Sequence, residues 1–160
     1  MAIASGNIIG YLNSDDTLEP GALQIVANYF NEHPKEKFVY GLGKLIDEND
    51  QYIGDYHNEP ADFNSLFISC DISQPSAFWR KSLSDEIGPF NEKFDYAMDY
   101  EYWIRVSKKY SFNFINQYLS NTRIHSSTKT ISQAVNVYHD IFKINNLHYN
   151  RVADNWFIYY

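Results

Sequence analysis

The spacing of apolar positions changes several times along this chain, and each change marks an element. Ile8, Ile9, Tyr11 and Leu12 form a short run around Gly10. A run without polar alternation predicts a strand covered on both faces, as in parallel sheets of α/β folds. Glu19-Pro20-Gly21 then opens a helix, since proline suits a first turn. Ala22, Leu23, Val26, Tyr29 and Phe30 continue it at helical spacing, and His33-Pro34 ends it. Residues 38–42 read as a second buried strand. Leu45-Ile46 and Tyr52-Ile53 flank Asp47-Glu48-Asn49-Asp50, the pattern of a hairpin turn.

Further along, a short helix is expected within 60–67. Strand character follows at both ends of 69–80, broken at Gln74-Pro75. A helix over 81–87 stops at Gly88-Pro89. Residues 90–98 form a loop, and 99–110 a helix with Tyr100, Trp103, Val106 and Tyr110 on one side. Strands are predicted at 112–115 and 118–124. Thr130 and Gln133 have the spacing of a capping box, ahead of the longest helix, marked by Ile131, Ala134, Val135, Tyr138, Ile141 and Phe142. Only the few residues Met1 to Gly6, several of them small, precede the first strand. A parallel strand needs a neighbour reached by a crossover of a dozen or more residues. The chain therefore reads as starting inside a larger fold.

Composition narrows the function classes. With 160 residues, 44% of them hydrophobic, the chain suffices for one domain with a real core. Its 14 Tyr and 11 Phe exceed the needs of that core, so some are expected at a groove or interface. A net charge of −7 argues against a nucleic-acid partner. It also means that an anionic ligand needs a bridging cation. Cys70 is the only cysteine, which rules out an intrachain disulfide and fits a reducing compartment. It reads as a small core residue. No apolar run approaches transmembrane length, leaving a cytoplasmic protein or one held peripherally at the inner face of a membrane. The end, Trp156-Phe157-Ile158-Tyr159-Tyr160, is apolar enough to pack on the body, on a second subunit or at a membrane interface.

Candidate chemistry collects where the first strand stops, at Asn13-Ser14-Asp15-Asp16. Open α/β sheets place ligands outside the carboxyl ends of their strands. Adjacent aspartates repel unless a positive group lies beside them, and all-oxygen ligands favour Mg²⁺ or Mn²⁺. An Asx turn capping the next helix is the competing reading. Asp99 fits a helix N-terminus, where the dipole stabilises a carboxylate. The acidic 47–50 cluster reads as a solvated loop, since it lacks the glycine and closing glutamate of an EF-hand.

Four pieces stand in order: Asn13-Ser14-Asp15-Asp16; Gln74-Pro75-Ser76 with Phe78-Trp79-Arg80; Asp99-Tyr100-Glu101-Tyr102-Trp103-Ile104-Arg105, preceded by Gly88-Pro89-Phe90-Asn91-Glu92; and Arg123-Ile124-His125. Over roughly residues 1–130 this order resembles the family 2 glycosyltransferases of GT-A fold. The resemblance implies an α/β, partial GT-A fold (nucleotide-diphospho-sugar transferase-like), with a mixed sheet flanked by helices. It divides the chain into a truncated GT-A domain, 1–130, and a C-terminal helix with apolar tail, 131–160. The family's nucleotide-binding opening half has no counterpart here, which implies weak binding of a nucleotide sugar by this polypeptide alone.

The implied reaction is inverting, metal-dependent transfer of a sugar from a nucleotide-sugar donor to a carbohydrate or lipid-linked acceptor. Asp16 would bind the cation, Mn²⁺ or Mg²⁺, on the donor diphosphate. Asp15 would lie near the ribose or the cation's water shell, and His125 would close the metal site. Asp99 matches the catalytic base. Asn13, Gln74, Ser76, Arg80, Tyr100 and Arg123 are candidate substrate contacts, and Trp79 and Trp103 are expected in the core. Met98 departs from the family, which usually has an acidic residue there. A carbohydrate- or partner-binding module without catalysis is the alternative. The C-terminal helix and tail are a candidate surface for a homo-oligomer.

Overall fold

Strands with apolar side chains at consecutive positions present them on both faces of their sheet, and this chain covers both faces with helices. The structure, a computed structural model, describes residues 4–157. Its sheet runs in the order β1 (Ile8–Gly10), β5 (Ala77–Arg80), β3 (Phe38–Ile46), β6 (Asn113–Arg123), β2 (Thr17–Leu18), with β4 (Tyr52–Asp55) paired to the far end of β3. The β3–β6 pairing is parallel and the others antiparallel, so the sheet is mixed as expected.

On one face lies α1 (Ala22–Glu32), which packs Ala22, Val26 and Phe30 against Val39, Phe78, Ile115 and Leu119. The other face meets α2 (Ser65–Ile68), α3 (Lys81–Ile87), α4 (Met98–Ser107) and α6 (Ala134–Tyr149). Here Phe38, Tyr40 and Trp79 pack with Trp103, Tyr102, Ile104, Ile141 and Ile144. Trp79 and Trp103 are fully buried, as expected. Trp156 packs on the body through an indole N–H donated to the Phe67 carbonyl at 2.9 Å. Ile158, Tyr159 and Tyr160 of the apolar tail lie outside the described residues.

Several expectations are corrected. β1 is not a central strand with parallel neighbours. Among the described residues it stands at the sheet margin, antiparallel to β5. The apolar run does report burial, because Ile9 enters the larger core and Ile8 packs on the smaller one. It carries no information on strand direction, since its partner lies some seventy residues downstream. Leu23, counted in the helical stripe, is 63% exposed. The strands expected at 112–115 and 118–124 are one strand whose register shifts beside Gly41 and Gly43. No strand forms over 69–72, where the chain runs irregularly into a 3-10 turn, Gln74–Ser76. The capping box is not made: Thr130 lies inside α5 (Lys129–Ser132), and α6 begins at Ala134 without a side-chain cap.

Candidate active site

β6 organises the site because it runs between β2 and β3. Its end brings Arg123 level with Ile46 on one side and just past the Thr17–Asn121 pair on the other. The residues before β2 therefore fold against Arg123. Asp16 is buried, and its two carboxylate oxygens accept from the Arg123 backbone N–H at 3.0 Å and the Asn13 amide at 3.1 Å. Asn13 also donates to Gln74 Oε1 at 3.0 Å, and Gln74 donates to the Tyr11 carbonyl. Burial pushes the Asp16 carboxyl up, against the lowering effect of those two donors, and the neighbouring Asp15 charge adds to the rise. Asp15 is more open, with its Oδ2 lying 3.3 Å from His125 Nε2. Ser127 Oγ holds the other ring nitrogen, Nδ1, at 2.8 Å.

Asp99 sits in the first turn of α4 and accepts the Tyr100 backbone N–H at 2.8 Å. Burial raises its pKa above the ordinary aspartate value. Asp99 shares one cavity of about 530 Å³ with Asn13, Asp15, Asp16 and Gln74. Tyr56, Asp95, Tyr96, Met98, Arg123 and Lys129 also line it, of which Tyr56, Asp95 and Lys129 carry no pattern that singles them out in the sequence. The two anchors read from the sequence, 83 positions apart, thus face a common space.

Three predicted contacts lie elsewhere. Ser76 is fully buried and donates to the Ser73 carbonyl at 2.7 Å, closing the 3-10 turn. Arg80 reaches away from the cavity to the end of α1, where it donates to the Phe30 carbonyl at 2.7 Å and the Glu36 carbonyl at 2.9 Å. Tyr100 is a core residue whose hydroxyl meets the Leu66 carbonyl at 2.5 Å and Asn145 Oδ1 at 2.8 Å. Arg123 does line the cavity, but its guanidinium is committed to protein partners: the carbonyls of Asp15 at 2.8 Å and Asp47 at 2.7 Å, and Asp50 Oδ1 at 2.6 Å.

The donor set suits a hard cation only in part. Among the described residues no group of three or more His, Cys, Asp or Glu side chains is placed to hold a metal by itself. Asp15 and His125 form a converging pair, whereas both Asp16 oxygens already accept hydrogen bonds. One or two protein ligands completed by water and substrate phosphates is the usual arrangement for Mg²⁺. The residues therefore fit a cation that arrives with a phosphorylated substrate better than a caged one.

No family model matches the chain. It is 25% identical over 151 residues to the chondroitin synthase of Escherichia coli, a match covering 94% of this chain and 22% of that protein. It is 24% identical to the hyaluronan synthase of Pasteurella multocida over 83% of this chain and 14% of that one. It is also 26% identical to an uncharacterised glycosyltransferase of Rickettsia prowazekii, over 86% of this chain and 46% of that one. This chain is related to the family 2 glycosyltransferases. The structure of S. aureus TarS aligns with a TM-score of 0.59 over 96% of this chain and 27% of that one, at 14% identity, which is a likeness of fold. This glycosyltransferase-related chain therefore spans less than half the length of these relatives. Its cleft residues, not the relatives' names, have to carry the chemistry.

Proposed function

We propose that the cleft transfers a sugar from a nucleotide-sugar donor to a hydroxyl of a carbohydrate or lipid-linked acceptor, with inversion at the anomeric carbon. The observation that supports this is the shared cavity, with Asp99 and the Asp15–Asp16 pair on its walls. Asp99 accepts the proton of the acceptor hydroxyl as that oxygen attacks the anomeric carbon, and the bond from that carbon to the diphosphate breaks. Burial raises its proton affinity, which suits a base. Asp15 and His125 would hold the cation, while Asp16, the ligand expected from the resemblance, is locked by Asn13 and Arg123 and fixes the turn that presents Asp15. When bound, Mn²⁺ or Mg²⁺ supplies Lewis-acid stabilisation of the charge gathering on the departing diphosphate. A protein of net charge −7 otherwise repels that leaving group. A lipid-linked acceptor would hold the protein at the cytoplasmic face of a membrane; no described helix is long and apolar enough to cross one.

The test is release of nucleoside diphosphate from a panel of nucleotide sugars with Mn²⁺ and short oligosaccharide acceptors. Activity lost in Asp99→Asn, with an unchanged circular-dichroism spectrum, is the expected result. Oligosaccharide binding without turnover of any donor would point instead to a binding module of the same fold.

A further inference from the structure

The acidic turn at 47–50 lies some thirty residues from Asp15 and Asp16 in sequence, yet the Arg123 side chain joins it to their backbone. Parallel pairing of β3 with β6 sets Ile46 beside Arg123, and the Ile124 N–H donates to the Ile46 carbonyl at 2.8 Å. The turn that follows Ile46 therefore lies within reach of the Arg123 side chain. Two of its groups take hold of that side chain: the Asp47 carbonyl accepts from one guanidinium nitrogen and the Asp50 carboxylate from another. A third guanidinium nitrogen donates to the Asp15 carbonyl. The backbone N–H of the same residue holds Asp16.

The turn is built to keep this grip. Asp47 Oδ1 accepts the N–H groups of Asn49 at 2.8 Å and Gln51 at 2.9 Å, an Asx turn that organises the tip. Asp50 has a φ of 63°, which turns the chain back and which aspartate and asparagine tolerate better than most residues. Arg123 is mostly buried, whereas Asp50 is largely exposed. A planar fork that bonds several acceptors at once positions its partners as a lysine cannot. A guanidinium beside Asp15 also opposes a divalent cation there unless a carboxylate offsets its charge.

We propose that the 47–50 turn is the outer support of the cleft's Asp15–Asp16 pair, holding its backbone through Arg123 while Asp50 offsets the guanidinium charge beside a bound cation. Arg123 and Asp50 are positioning residues, not substrate contacts. The cation half of this proposal rests on the function proposed above; the positioning half does not.

Asp50→Asn tests it, because the substitution keeps size and left-handed backbone while removing the charge. Arg123→Lys is the companion, keeping charge and losing the fork. Two readings are taken on the full chain: amide hydrogen exchange over residues 13–17 and 121–124, and Mn²⁺ affinity by calorimetry. In both variants exchange at Asp16 and Arg123 is expected to quicken with the thermal midpoint nearly unchanged. Mn²⁺ affinity is expected to fall about tenfold, the low end for losing an outer partner of a metal ligand. The Asp50→Asn effect should shrink in high salt. Unchanged exchange in Asp50→Asn overturns the positioning role. Unchanged Mn²⁺ affinity overturns the charge role. If the parent takes up no Mn²⁺, the charge role and the cation reading fall together, and the exchange reading still decides the support.

Discussion

Asp99 and Glu101 are two positions apart on α4, and the helix sends them to different surroundings. Asp99 opens on the cavity. Glu101 points into the protein, 2.9 Å from Arg105 Nε and 3.1 Å from His148 Nε2. Their pKa values move oppositely. Burial raises Asp99. For Glu101 burial also pushes upward, but the hydrogen bond from His148 and the charge of Arg105 outweigh it and hold the carboxyl low. The divergence excludes a paired-carboxylate glycosidase built from these two residues.

A carboxyl whose folded pKa is raised contributes stability that is full below its unfolded value, near pH 4, and lost as pH rises through the folded value. Asp99→Asn should therefore gain on the parent as pH rises from about 4 toward neutrality, read as urea midpoints across that range. Transfer should fall by about 10²–10⁴-fold in the same variant, the usual contribution of a general base. In the parent, the acid limb of the rate profile should stand above the range of an ordinary aspartate. A variant that loses stability with rising pH as the parent does would mean that Asp99 is not the group strained by burial.

At the scale of elements, α4 is held twice. Arg105 donates to the Ile87 and Pro89 carbonyls, both at 2.7 Å, tying the helix to the end of α3 and the loop that follows it. His148 ties it to α6, and the Asp140 carboxylate on α6 accepts the Tyr96 N–H at 3.1 Å, anchoring the loop that leads into Asp99. Glu101→Ala leaves Arg105 and His148 without their buried partner and should cost about 3 kcal/mol or more in denaturant unfolding. Because the Glu101 pKa is lowered, its contribution is present at neutral pH and lost as pH falls through the folded value. The β3–β6 pair has its own weak point at Gly41. A Cβ there would lie 2.6 Å from the Leu119 side chain and 2.8 Å from the Gln117 carbonyl oxygen. Gly41→Ala should cost about 1–3 kcal/mol by overpacking. Unchanged melting would show that the strand shifts freely. The helices over 22–32 and 81–87 were legible because a stripe and its stop signals lie within about three turns. The shift in β6 was not, because Gly41 and Leu119 are 78 positions apart in the chain.

For the whole molecule, the sheet order gathers distant pieces at one rim. A cation bound only by the folded protein stabilises it by mass action, about 2.7 kcal/mol at a hundred times the dissociation constant. Mn²⁺ should therefore raise the thermal midpoint, EDTA should reverse the rise, and Asp15→Asn should abolish it. A midpoint indifferent to Mn²⁺ would contradict the cation reading. Asn13, Asp15 and Asp16 were legible as cleft residues because they stand where the first apolar run ends, whereas Asp99 and Gln74 were picked out by the order of motifs that resembles the family. Ser76, Arg80 and Tyr100 were misplaced because a polar atom in a motif looks the same whether it closes a turn, caps a helix or meets a ligand.

Periodicity and breakers, which act within a few residues, were enough for this sequence to establish most of its helices and strands and the acidic cluster that ends its first apolar run. Which strand neighbours which, which carboxylate meets His125, and the use of Arg123 as a clasp on the 47–50 turn were decided only by tertiary structure. Those outcomes depend on contacts between residues tens of positions apart, and local spacing along a chain carries no record of them.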